Sequence, residues 1–356
     1  MLGIDIRALR AVWTIALFAV VVATAYAIRE TLLVFVVALF FAYILSPVVD
    51  FLNSRLPKRV ARPLSLAIVY LALIGVLIAA GFSVGTRLVD EANSLAKRLP
   101  DLSQNFNGLF KLPLPAWLEP MRNRIVYAVQ EPFRGGGQQW LSYVTSAGSK
   151  VLSGLSLLFY LVLVPILSFF FLKDGTEMRD SIVTSLTNER QRALLDSILT
   201  DIHTLMGQYI RALVILSIAT FTTYVIFLSV TGASYIFLLS GIAAALEFIP
   251  VVGPLTAGAI ILVVTGFTGY PHLIWFVIFW PCFRLFQDYV LSPYLMSSGV
   301  EVPPLLVLFG VLAGEQVAGV PGMFFSVPVI ATLRVIYVQA SKARRQRELA
   351  PMMLKQ

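Results

Sequence analysis

Residues 235–268 read YIFLLSGIAAALEFIPVVGPLTAGAIILVVTGFT, and Glu247 is the single charge among them. Two apolar stretches, 235–249 and 255–268, flank the segment Ile249-Pro250-Val251-Val252-Gly253-Pro254. Each proline lacks a backbone N–H and has a fixed φ, so an α-helix cannot run through both. At 1.5 Å per residue, each stretch is also short for crossing ~30 Å of hydrocarbon. Backbone freed in this way is tolerated at membrane depth only where it is buried in protein or lines a wet cavity. The segment therefore predicts a helical hairpin inside a larger membrane bundle. A second pair, 304–318 and 322–338, repeats the pattern around Gly319-Val320-Pro321-Gly322. Pro250, Gly253, Pro254, Pro321 and Gly322 are the expected turn residues. Two short, Pro/Gly-interrupted apolar pairs in comparable positions point to a transporter binding site.

The composition agrees. Of 356 residues, 58% are apolar and 13% charged, against roughly 25% charged in soluble domains; mean hydropathy is +0.84. Residues 11–28, 64–86 and 151–172 are uncharged runs of 18, 23 and 22 residues. The expected fold is an all-α integral membrane protein with about eight transmembrane segments. Six are full spans and two are the interrupted hairpins, with amphipathic helices outside the bilayer. The lone Cys282 excludes an internal disulfide. His203 and His272 lie far apart in the chain, which argues against a catalytic zinc, and there is no G-x-x-x-x-G-K-[ST] phosphate loop. No H-E-x-x-H helix or serine–histidine arrangement suggests an enzyme, and no cofactor is expected. The net charge of +8 sits mostly beside apolar spans, so it speaks for membrane orientation rather than nucleic acid.

Outward from the hairpins, the chain divides into a three-span unit (1–87), an amphipathic region (88–150), a fourth span (151–172), polar helices (173–208), a transport unit (209–340) and a basic tail (341–356). Residues 11–28 resemble a signal peptide ending at Ala25-Tyr26-Ala27, but the run is long and a second span follows at once, so a retained helix is expected. Arg55, Lys58, Arg59 and Arg62 mark a cytoplasmic loop after the second span, 31–49. That places the N-terminus inside and the 88–150 region outside. This region carries an amphipathic series at Leu88, Ala92, Leu95 and Leu99, a second at Leu118, Met121, Ile125 and Val129, and the triple glycine 135–137. The fourth span returns to the cytoplasm and closes at Lys173-Asp174-Gly175, after which two helices, the second capped by Thr187 or Asn188, are expected on the membrane face. The fifth and sixth full spans are 209–230 and 273–291. The connectors 231–234 and 269–272, assigned outside, hold no Lys or Arg, and the tail with Lys342, Arg344, Arg345 and Arg347 lies inside.

Between Leu205 and Ala340 only seven charged residues occur. An ionised group at bilayer depth costs on the order of 3 kcal/mol even on mild scales, so such groups pair, face a cavity or carry protons. Glu247 lies three residues before Pro250, and Glu315 four before Gly319. Arg284 and Asp288 are spaced i, i+4 and share a helix face. These four residues are the candidate substrate or ion site, with Glu247 and Asp288 as carriers, Glu315 behind them and Arg284 as their charge partner. A mutual structural pair of Arg284 with Asp288 remains equally open.

Several phrases resemble the autoinducer-2 exporter family of PerM-type permeases. Glu247-Phe248-Ile249-Pro250-Val251-Val252-Gly253-Pro254 is similar to its IPxxGP segment, and Gln287-Asp288-Tyr289-Val290-Leu291-Ser292-Pro293 to a second block. Pro303-Pro304-Leu305, Gly319-Val320-Pro321-Gly322 and Val327-Pro328 resemble its closing pattern. Phe170-to-Gly175 and Gly207-Gln208-Tyr209 resemble two more. The likeness spans about residues 10–340. It implies a homo-oligomeric, ring-like secondary transporter of the plasma membrane, in which one bundle moves against a scaffold. Members are associated with export of a quorum-sensing furanone or with sodium–proton antiport, so H+ or Na+ is the implied coupling ion. A passive channel and a non-transporting membrane scaffold are the competing functions. In a passive channel the same charges would set selectivity; in a scaffold Glu247, Asp288 and Glu315 would tolerate neutral replacement.

Overall fold

The computed structural model describes residues 6–57, 61–104, 154–295 and 303–353. The expectations for 105–150, among them the second amphipathic series and the triple glycine, lie outside these residues. The described residues are helical, with no strand among them. The elements are α1 (Ile6–Ala27), α2 (Arg29–Arg55), α3 (Ala61–Ala80), a π turn (Gly81–Gly85), α4 (Thr86–Gln104), α5 (Gly154–Thr184), α6 (Glu189–Val230), α7 (Ile236–Leu246) and α8 (Val252–Phe267). They continue with α9 (Leu273–Phe286), a second π turn (Gln287–Leu291), α10 (Ser292–Leu295) and α11 (Pro304–Met353). Among the described residues, four helical stretches are long and apolar enough to cross a membrane: Arg29–Arg55, Glu189–Val230, Leu273–Leu295 and Pro304–Arg345. Shorter apolar helices accompany them at Val12–Ala27, Leu64–Val76, Ile236–Leu246 and Val252–Phe267. Large apolar side chains are exposed along most of these helices, as Trp13, Leu71, Ile218, Trp275 and Leu333 are. A surface of this kind is stable against lipid and not against water.

Three apolar cores run through the bundle and share helices. In the first, Leu45 and Val49 of α2 pack with Leu66 and Val69 of α3, against Phe169 and Leu172 of α5. Within it, the Tyr70 hydroxyl pairs with Ser168. The second joins Phe40 of α2 to Leu205, Met206 and Ile210 of α6 and to Ala331 and Val335 of α11. The third gathers Tyr224 and Leu228 of α6, Leu239 and Ala243 of α7, Ala257 and Ile261 of α8 and Phe276 of α9. Phe227 stacks on Phe279 with ring centroids 3.9 Å apart. Thus α2 ties the first core to the second, and α6 ties the second to the third.

Both interrupted pairs are hairpins whose reversals fall at their Pro/Gly interruptions, with Pro250 in the first turn and Gly319 in the second, but Gly253, Pro254, Pro321 and Gly322 lie in the flanking helical arms. In the first, α7 ends at Leu246 and α8 begins at Val252, so Gly253 and Pro254 belong to a helix. The left-handed backbone falls on Val251 (φ +62°, ψ −57°), and the Val252 N–H donates to the Pro250 carbonyl at 2.6 Å. This is the positive-φ γ-turn, rare and strained for any residue and more so for a β-branched one. Gly253 acts through closeness instead: a Cβ there would lie 1.8 Å from the Leu246 carbonyl oxygen. In α11 the reversal is at Ala318 and Gly319 (φ +62°), and Pro321 and Gly322 lie in the second arm. The two arms touch through glycine, since a Cβ on Gly322 would come within 1.9 Å of the Gly314 oxygen.

Polarity misplaced two further boundaries. Lys173-Asp174-Gly175 does not end α5, which continues to Thr184, and α6 runs unbroken from Glu189 through residue 208 into its apolar half. In place of two separate surface helices, the ends of two long ones form an αα-hairpin. Asn188 caps α6 by accepting from the Arg190 N–H at 3.0 Å. Arg179 pairs with Asp196 at 2.6 Å, and Arg192 donates to the last carbonyls of α5, Val183 and Thr184. Likewise α4 is not a detached element but continues α3 through the π turn.

Candidate functional site

Glu247 is the C-terminal flank of α7, where the chain leaves the helix for the γ-turn. Its side chain is 7% exposed. Arg284 of α9 reaches it, Nη1 to Oε1, at 3.2 Å. The same guanidinium holds Asp288 with a two-pronged grip, Nε to Oδ2 at 3.0 Å and Nη2 to Oδ1 at 2.7 Å. Planar guanidinium geometry suits such paired contacts. One cation therefore serves two carboxylates. Asp288 lies in the π turn that follows α9, and its side chain is 45% exposed. The other Glu247 oxygen accepts from the Thr220 hydroxyl at 3.1 Å, and Gln287 Nε2 donates to that hydroxyl at 2.8 Å. Ser217, one turn earlier on α6, donates to the Ala244 carbonyl at 2.8 Å and fastens α7 to α6.

Beside this cluster is a cavity of about 290 Å³. Glu247, Pro250 and Val251 line it from the first hairpin; Val307, Val327 and Ala331 line it from the two arms of α11. Leu205, Tyr209, Leu213 and Leu216 of α6, Arg284 of α9 and Ser292 of α10 complete most of the wall. Both hairpins thus meet at one partly apolar space with a charged corner, the usual make-up of a small-molecule site. The Tyr209 hydroxyl, on this wall, is buried with no hydrogen-bond partner.

Of the four residues expected at the site, the structure brings Glu247, Arg284 and Asp288 together. Glu315 is exposed on the first arm of α11 and does not line the cavity. Pro250 lines the cavity, while Gly253, Pro254, Pro321 and Gly322 shape the hairpins around it. Thr220, Gln287 and Tyr209 were not anticipated. Gln287 and Tyr209 fall inside two of the family-like phrases, which assign them no role of their own, and Thr220 is an uncharged polar group inside an apolar run, a pattern that many structural serines and threonines share. Among the described residues no group of three or more His, Cys, Asp or Glu side chains is placed to hold a metal ion.

Residues 15–342 match the sequence profile of the AI-2E family transporters. The chain is 24% identical over 324 residues to "Putative transport protein YrrI" of Bacillus subtilis, covering 90% of this chain and 89% of that one. It is 25% identical over 313 residues to "Putative permease PerM" of Escherichia coli, covering 84% of each. A "Putative transport protein" of Methanothermobacter thermautotrophicus is 25% identical over 288 residues, 79% of this chain and 80% of that one.

Proposed function

The chain belongs to the AI-2E transporter family, and on that premise we propose that it is a secondary active transporter working by alternating access. It is a multi-pass helical membrane protein. In this reading it sits in the plasma membrane with both termini cytoplasmic, assembles as a homo-oligomer, and carries a small solute in exchange for, or together with, a proton or sodium ion. The observation that carries the reading is the charge count beside the cavity. Glu247 and Asp288 share the single cation Arg284, so the trio is one negative charge in excess when both carboxylates are ionised. Binding one proton or one monovalent cation neutralises it, which couples occupancy of the corner to the stability of a closed, dry state. The partly apolar wall and the Tyr209 hydroxyl suit an organic solute with hydrogen-bonding oxygens, of which a quorum-sensing furanone is one example; sodium against protons is the alternative cargo.

The test uses proteoliposomes with a pH-sensitive dye inside, to which sodium and then a furanone-type signal molecule are added outside. Proton movement that depends on the added solute, and disappears in Glu247→Gln or Asp288→Asn protein that still inserts and assembles, is the expected result. Wild-type flux in both variants would overturn the assignment of these carboxylates. Solute flux that runs down its own gradient with no proton or sodium dependence would identify a passive pore instead.

A further inference from the structure

Helix α7 begins badly by its own sequence. Tyr235, at the N-cap position, has φ +60° and offers no side-chain hydrogen bond to the first turn. The missing acceptor arrives from 147 positions away: Glu91 Oε2 of α4 accepts the Leu238 N–H at 2.7 Å. Leu238 is the third helical residue, the donor that a local Ser, Thr, Asp or Asn cap would normally satisfy. A carboxylate there also meets the positive end of the helix dipole. Two more contacts secure the junction. Arg87 stands over the Phe237 ring at 5.1 Å. Leu88 lies where a Cβ on Gly241 would be 3.4 Å from its Cδ2. Leu88, Glu91 and Leu95 form the half-buried face of α4, whereas Ala92, expected on that face, is exposed.

The two ends of α7 thus have different owners. Its C-terminal end carries Glu247 and the strained turn on the cavity wall; its N-terminal end is completed by a helix from the other half of the chain. That helix is a continuation of α3, which packs on α2 and α5. We propose that Glu91 is a positioning residue and α4 a strap: by capping α7 from outside, it holds the first hairpin, and with it Glu247, in the arrangement seen here, and releasing the cap lets the hairpin open the cavity. For its role in a transport cycle the inference rests on the alternating-access reading above, but the strap itself is tested without transport.

The experiment uses full-length protein in which Cys282, the one native cysteine, is replaced by Ser and Ala331, buried on the cavity wall, by Cys. The rate at which a membrane-impermeant methanethiosulfonate labels Ala331→Cys reports opening of the cavity. Hydrogen–deuterium exchange of the 236–240 amides reports the cap, and exchange across α6 and α9 controls for folding. Glu91→Ala should accelerate labelling about five-fold, the factor by which loss of an N-cap contact typically shifts a local equilibrium. Glu91→Gln, which keeps an acceptor oxygen, should stay near the parent rate. Fast exchange of the 236–240 amides in Glu91→Ala with unchanged labelling would overturn the proposal, because the cap would then be local and without effect on the cavity. Unchanged exchange would overturn it as well, by removing the cap. If instead Glu247→Gln leaves flux intact while Glu91→Ala still accelerates labelling, the coupling reading fails and the strap stands.

Discussion

Replacing Arg284 by Met should cost far more than its three contacts suggest, because the cost comes from what is left behind. Methionine fills similar volume but removes the only cation from the trio. Asp288, 45% exposed, has room to turn away from the guanidinium, and its i, i+4 partnership is worth about 0.5 kcal/mol. Glu247, 7% exposed, cannot. It keeps the Thr220 hydroxyl and loses its counter-charge, and breaking a buried pair in this one-sided way costs about 3–5 kcal/mol. An unfolding entropy of about 2.1 cal/mol/K per residue gives roughly 0.75 kcal/mol/K for this chain, so the midpoint should fall by about 4–7 °C. Thermal unfolding in detergent, followed by intrinsic fluorescence or thiol-reactive dye, measures this directly. Asp288→Asn, treated identically, should move the midpoint by about 1 °C or less. The double variant Arg284→Met/Glu247→Gln should recover more than half of the loss, since a neutral amide can still accept from Thr220. Additive losses in the double variant, or equal losses for Arg284→Met and Asp288→Asn, would refute the reasoning.

Two glycine substitutions should have opposite signs. Gly322→Ala places a Cβ within 1.9 Å of the Gly314 carbonyl oxygen, where backbone and not a flexible side chain must yield; a loss of about 3 kcal/mol, the upper end of the usual cost of overpacking, or failure to assemble on size-exclusion chromatography, is expected. Gly175→Ala meets no atom within 4 Å and sits inside the continuous α5, so it should raise the thermal midpoint by about 1 °C, the effect of roughly 0.5–1 kcal/mol of helix propensity.

The sequence is most informative where the chemistry is local. Both hairpins follow from prolines and glycines in apolar runs, and the Arg284–Asp288 contact follows from helical spacing alone. Glu247 is conspicuous as an isolated charge. Arg284 is expected as charge partner of both Glu247 and Asp288 and meets both, although nothing along the chain encodes how α9 is rotated against α7 to bring it to Glu247. Thr220 and Gln287 were hidden for the same reason: each is an ordinary polar residue until the third core brings it against a carboxylate. The boundary errors have one cause. Lys173, Asp174 and Gly175 mark where burial in apolar surroundings ends, and that place was read as the end of a helix. Helix continuity depends on the backbone hydrogen-bond ladder, which α5 and α6 carry well past it. Pro250 and Gly319 do lie at the reversals, whereas Gly253, Pro254, Pro321 and Gly322 fall in the helices beside them, because proline forbids a conformation without saying which neighbour absorbs the reversal, and in the first hairpin the strain landed on Val251.

The π turn at Gly81–Gly85 sets the phase of everything beyond it. An α-helix rotates its side chains by about 100° per residue, and a wider turn absorbs one residue more than the regular ladder would. Because α3 and α4 form one rod, this single surplus residue decides whether Arg87, Leu88 and Glu91 look at α7 or past it. Removing one residue between 81 and 85 would leave the composition of both helices unchanged and rotate the whole capping face about a quarter turn away. Tolerance to insertions and deletions in this part of the chain is therefore governed by angular register rather than by loop length, although the five residues Gly-Phe-Ser-Val-Gly carry no charge and no motif that marks the place.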